Sequence, residues 1–234
     1  MKIGIMQPYF FPYLGYFAHL ATVDKWVVFD SSQYTKKTWM NRNRIANNSG
    51  SWSYISMPVQ KGSLSMKTSE ARAADFITAK QQLFNSLAQY KAKAPYFKQV
   101  MLLVDDALSS VASDKLVDIN ISCLQSVCDY LGINFNYAIS SHMDIDYSSI
   151  HHPGQWALEI SKHCHASVYI NPLGGKELFD QSAFDEAQIE LSFFNPPKID
   201  YVCIKPFEYI ENLSILDVLM WCSPDEVTKV ISPS

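Results

Sequence analysis

Lys2-Ile3-Gly4-Ile5-Met6-Gln7-Pro8-Tyr9-Phe10-Phe11-Pro12-Tyr13-Leu14-Gly15-Tyr16-Phe17 opens the chain, and its reading decides the fold. Ile3 to Met6 has the composition of a short buried strand. The strand runs into a turn with two prolines and four aromatic rings before Leu14, where a helix begins. The next apolar run, Lys25-Trp26-Val27-Val28-Phe29-Asp30, reads as a second strand ending on a carboxylate. Strand, loop, helix and strand make a βαβ unit, and ligands of such units bind at the carboxyl ends of the strands. The unusual residues sit there: Gln7 to Tyr16 after the first strand, Asp30 to Arg44 after the second.

Further along, Trp52 to Val59 alternates like a strand. Residues 71–90, 96–108 and 114–131 have helical periodicity, with Gly132 placed to cap the last of them. Phe135 to Ser140, Ala166 to Ile170 and Ile189 to Phe194 read as strands. Gly154 to His163 and Leu213 to Trp221 read as helices, with Ser214 a cap and Asp217 in a first turn. Alternating strands and helices predict an α/β fold, with a mainly parallel sheet in three layers and helices on both faces. One domain over residues 1–234 is expected, its helical middle, 71–131, forming a small subdomain.

The chain has 234 residues, enough to bury a substantial core. A net charge of −4 argues against a surface for nucleic acid and leaves room for a local basic pocket. No signal peptide and no apolar run of bilayer length is visible, so a cytoplasmic protein without membrane insertion is expected. Five cysteines, an odd count, read as reduced thiols.

Several clusters carry chemistry. Gln7, Asp30 and Gln33 follow adjacent strands, and Asp30 is a candidate base. The phenols of Tyr9, Tyr13 and Tyr16 need partners if buried. Lys36-Lys37-Thr38-Trp39-Met40-Asn41-Arg42-Asn43-Arg44 sets four cations around a tryptophan, a pattern suited to a small anion bearing a ring. His151-His152-Pro153-Gly154 and His163-Cys164-His165 flank one helix. Their spacing matches no standard zinc site, so no metal is expected and His152 is the candidate general acid or base. Cys164, between two histidines, would have a lowered pKa if they were protonated, but a buried, inert thiol is the favoured reading.

Q-P-Y-F-F-P-Y-L-G-Y-F, D-K-W-V-V-F-D-S-S-Q-Y and K-K-T-W-M-N-R-N-R-I, in this order, together with Y-K-A-K-A-P-Y-F and L-S-I-L-D-V-L-M, resemble the WbqC-like family. The resemblance spans nearly the whole chain and implies a role in bacterial O-antigen or other surface polysaccharide synthesis. It favours Asn41 and Arg42 as ligand-binding residues, with Lys37 beside them. Tyr13-Leu14-Gly15-Tyr16 is also spaced like the H-x-G-H of nucleotidyltransferases, with tyrosines in place of the cationic histidines that meet phosphate. The expected function is transfer chemistry on a nucleotide-linked sugar, such as acyl or aminoacyl transfer to an amino sugar. A non-catalytic nucleotide-sugar-binding or scaffold protein is the alternative. The sequence names no cofactor.

Overall fold

The computed structural model describes residues 1–232 apart from 149 and 151. Its strands are β1 (Lys2–Met6), β2 (Lys25–Val28), β3 (Arg42–Ala46), β4 (Trp52–Ser56), β5 (Tyr137–Ile139), β6 (Val168–Pro172) and β7 (Glu190–Phe194). Its α-helices are α1 (Leu14–Ala21), α2 (Phe76–Leu87), α3 (Phe97–Ser109), α4 (Leu116–Leu131), α5 (Pro153–His163), α6 (Gln181–Glu186), α7 (Ile215–Trp221) and α8 (Pro224–Ile231). No helix among the described residues is long and apolar enough to cross a membrane.

Five strands form a sheet in the order β5-β2-β1-β6-β7, and every neighbouring pair is parallel. β1 is central, as its apolar character predicts. Ile3 and Ile5 face one side and join Val27, Ile160 and Tyr169 in a core beneath α5 and α6. Gly4 faces the other side, against α1. A Cβ there would lie 2.9 Å from the Trp26 ring and 3.2 Å from His19 Nε2, so only glycine admits this close helix–sheet contact. The sheet is thus covered on both faces, the three-layer α/β arrangement.

The larger core lies on the α1 side. Val100 and Val104 of α3 and Leu124 of α4 share it with Phe10, Phe17 and Leu219. Gly132 ends α4 in the left-handed conformation, φ 68°. α2 starts after the expected Ala71. Residues 59–73 make extended bridges (Val59 to Ala73, Arg72 to Lys115), and Asp75 then caps the helix by accepting from the Thr78 amide at 3.0 Å. α8 carries a capping box of Ser223 and Glu226 with Pro224 in its first turn, a signal readable in Ser223-Pro224-Asp225-Glu226.

One element departs from the expectation of a loop between Asp30 and Arg44. Arg42–Ala46 is a strand that pairs antiparallel with Trp52–Ser56 as a separate two-stranded sheet. Ile45, Ala46 and Ile55 are buried there, which gives an otherwise polar run its reason to extend.

Candidate functional site

The chain leaves β1 toward β2 and β5, then returns on the other side of β1 to β6 and β7. The order therefore reverses between β1 and β6, and a crevice opens beyond the strand ends at such a switch point. A cleft of about 540 Å³ lies there, reaching from Met6 at the end of β1 to Pro172 at the end of β6. This size suits a small-molecule ligand. Tyr9 and Tyr13 line one wall, Trp39 and Arg44 another, and Lys198 and Asn212 the rim.

The loop from Gln7 to Tyr13 is held by side chains from distant segments. Asn43 Nδ2 donates to the carbonyls of Phe10 (3.2 Å) and Phe11 (2.7 Å), and the Ser214 hydroxyl also donates to Phe11 (2.7 Å). Asn120 Nδ2 donates to Pro8 and Met40, both at 2.8 Å, tying this loop to the basic segment. These bonds hold Phe11 at φ 40°, a conformation unfavourable for a residue with a Cβ.

Burial raises the pKa of both Tyr9 and Tyr13, and for Tyr9 the neighbouring Tyr13 adds to the effect. Both stay protonated near neutral pH and act as hydroxyl donors or acceptors. Tyr16 stands behind this wall. It is buried against Trp26 and donates its hydroxyl to the Gln7 carbonyl at 2.9 Å. The Gln7 amide donates to the Ser32 hydroxyl at 2.9 Å, which joins the ends of the first two strands as the sequence suggests.

Arg44 is the cleft's distinctive group. Its guanidinium approaches two indoles, 5.4 Å from the ring centre of Trp39 and 5.3 Å from that of Trp52. Among the described residues its one hydrogen bond to protein is a long one to the Asn212 carbonyl, 3.4 Å, and its buried Nε has no partner. Among the described residues neither Arg42 nor Arg44 has a carboxylate within ion-pair distance. Lys198, by contrast, is paired with Glu211 at 2.9 Å, and that hydrogen bond raises its pKa.

The other sequence candidates are placed as follows. Arg42 stacks its guanidinium 4.0 Å over the Tyr54 ring, on the hairpin face beside the cleft. Asn41 donates to the Met57 carbonyl at 3.3 Å, and its buried Oδ1 has no partner among the described residues. Lys37 is exposed at φ 58°, and Gln33 is exposed with its amide on the Leu64 carbonyl. Asp30 is 2% exposed, and its carboxylate accepts from the Ser140 hydroxyl (2.9 Å), the Ser141 amide (2.8 Å) and the Ser141 hydroxyl (2.7 Å). It clips β2 to the end of β5 and does not line the cleft.

His152 caps α5, its Nδ1 accepting from the Gly154 amide at 3.1 Å. It borders a different cavity, of about 620 Å³, between α5 and the segment around Phe179. The structure thus brings Tyr9 and Tyr13 together and places Asp30 and His152 elsewhere. His151 lies outside the described residues, among which no group of three His, Cys, Asp or Glu side chains could hold a metal ion. Burial pushes the Cys164 thiol up, in keeping with an inert thiol, although Lys25 opposes the shift. All five cysteines are free thiols.

Sequence reasoning underrated Arg44, Lys198 and Asn212. For Arg44 a signal exists: residues two apart on a strand share a face, so Arg42 and Arg44 belong together once Arg42–Ala46 is known to extend.

Fold and cleft define an α/β protein with an open cleft at the switch point of a parallel sheet. The chain belongs to the WbqC-like protein family, which matches residues 7–229. It is also 28% identical over 195 residues to the uncharacterized protein Rv1507c of Mycobacterium tuberculosis, covering 83% of this chain and 82% of that protein. No solved structure matches it.

Proposed function

We propose that the protein binds a nucleotide-linked sugar in the switch-point cleft and acts on it as a transferase in bacterial surface polysaccharide synthesis. The observation that carries this reading is Arg44: a guanidinium with no carboxylate partner among the described residues, near two indoles at the mouth of a cleft lined by two protonated tyrosines. A forked cation suits a diphosphate, and aromatic walls suit the rings attached to it. The family's association with O-antigen and related glycans supports the pathway. Acyl or aminoacyl transfer to the amino group of a bound sugar is the specific reaction that suits it.

A second reading is a nucleotide-sugar-binding protein that serves a partner enzyme. One observation favours it: among the described residues the cleft wall carries neither a carboxylate nor an imidazole, and Asp30 and His152 stand outside it.

Thermal shift and calorimetry with nucleoside diphosphate sugars, ATP and acyl-CoAs test both. A ligand that binds only the folded state raises Tm in step with its concentration over Kd. Stabilisation by the nucleotide sugars supports the binding site. Chemical change of that sugar when an acyl donor is added separates the transferase from the binder. No stabilisation by any nucleotide sugar refutes both.

A further inference from the structure

The hairpin beside the cleft has a face that the cleft alone does not use. In the β3–β4 register Arg42 pairs with Ser56, Arg44 with Tyr54 and Ala46 with Trp52. Arg42, Arg44, Trp52 and Tyr54 therefore share one face, and the alternate residues Asn43, Ile45 and Ile55 are buried. Trp52 and Tyr54 meet edge to face with centroids 5.0 Å apart, and they are 38% and 40% exposed. Arg42 lies over Tyr54 and Arg44 against Trp52, so cation and ring alternate along the surface. Arg44 belongs to both this face and the cleft, making the two continuous.

An exposed indole next to a guanidinium that has no carboxylate partner among the described residues is the chemistry that receives a nucleobase attached to a phosphate. Base–aromatic stacking is tolerant of base identity, and guanidinium groups add to it. The inner cleft offers different groups: the hydroxyls of Tyr9 and Tyr13, suited to a polyhydroxylated ring.

Resting on the nucleotide-sugar reading above, we infer the polarity of the ligand: the diphosphate lies at Arg44, the nucleobase stacks outside the cleft on the exposed Trp52 indole, and the sugar points inward toward Tyr9 and Tyr13. The hairpin is then the nucleoside subsite, and the inner wall selects the sugar.

The test is calorimetric titration of the full chain with UDP, dTDP, GDP and CDP, and with the corresponding nucleotide sugars and a sugar 1-phosphate. Trp52→Ala, Trp52→Phe and Trp39→Ala are compared with the wild type. The inference expects Trp52→Ala to weaken the nucleoside diphosphate about tenfold, Trp52→Phe to stay within about twofold, and the sugar 1-phosphate, which has no base, to be indifferent to Trp52. Tyr9→Phe should weaken the nucleotide sugar but not the nucleoside diphosphate. Wild-type binding undiminished in Trp52→Ala overturns the inference and leaves the nucleotide-sugar reading standing. A loss confined to Trp39→Ala does the same and moves the base into the cleft. Equal losses in Trp52→Ala and Trp52→Phe with a lowered Tm reduce Trp52 to a structural role and also overturn it. Absence of any nucleotide binding by the wild type refutes the parent reading and the inference together.

Discussion

The carbonyl oxygen of Phe11 accepts the side-chain amide of Asn43 at 2.7 Å, across 32 residues of chain. This bond ties the loop after the first strand of the sheet to the hairpin that presents Arg44. The same Asn43 accepts the Arg44 amide at 2.8 Å through its Oδ1. One buried side chain thus sets the distance between the tyrosine wall and the guanidinium.

Asn43→Ala removes two donated bonds and one accepted bond at a buried position. A loss of about 2–3 kcal/mol of folding stability is expected, because buried polar groups left unpaired carry their desolvation cost. Urea unfolding is the check. The midpoint should fall without a change in m, and an unchanged midpoint would contradict the clamp.

Asp30→Ala leaves the Ser140 hydroxyl and both donors of Ser141 without their acceptor. The expected cost is about 2–4 kcal/mol of stability. Because Asp30 does not line the cleft, nucleotide-sugar affinity of the folded variant should stay within about twofold. Calorimetry showing abolished binding by a folded variant would place Asp30 in the ligand site.

His19 is buried on α1, bonded through Nε2 to the Ile170 carbonyl at 3.0 Å, and its Nδ1 has no partner among the described residues. Burial lowers its pKa from the ordinary 6.5 to about 4. A base depressed in the folded state contributes stability above its unfolded value, and that stability is lost as pH falls toward the folded one. About 3 kcal/mol should therefore disappear between pH 6.5 and 4. Denaturation at pH 7, 5.5 and 4 should show a shallower decline for His19→Gln than for the wild type. Parallel declines would contradict this.

Asp217 has the opposite sign. Burial raises its pKa, against the hydrogen bonds it accepts from Tyr90, Tyr201 (2.7 Å) and the Ala46 amide (2.9 Å). A raised carboxyl contributes stability that is complete below the unfolded value and lost as pH rises through the folded value. The stability difference between wild type and Asp217→Asn should therefore shift toward the variant as pH rises above the ordinary 3.8. A difference that is flat with pH would show that ionisation of Asp217 is not linked to folding.

Much of the fold was legible because period and punctuation agreed. Ile3 to Met6 and Trp26 to Val28 are apolar enough to belong to the middle of a parallel sheet, and they do. Gly132 and Ser214 marked helix ends that the structure keeps. Residues 42–46 were illegible as a strand because Arg-Asn-Arg shows no alternation of apolar residues; their burial comes from elements distant in sequence. Tyr16 read like Tyr9 and Tyr13, since nothing local says that its hydroxyl closes back on Gln7. Helix capping by His152 was implicit in His-Pro-Gly. The separation of its cavity from the cleft was not, because that depends on the position of α5 against the sheet.

The most direct test of the account is the affinity of Arg44→Gln for a nucleoside diphosphate sugar, measured by calorimetry beside the wild type, with circular dichroism to show that the fold is kept. A charged hydrogen bond to the diphosphate predicts a loss of roughly 10- to 100-fold, only partly restored by Arg44→Lys, whose single ammonium lacks the fork. Equal affinity of the folded Arg44→Gln variant and the wild type would contradict the claim that this cleft is the nucleotide-sugar site.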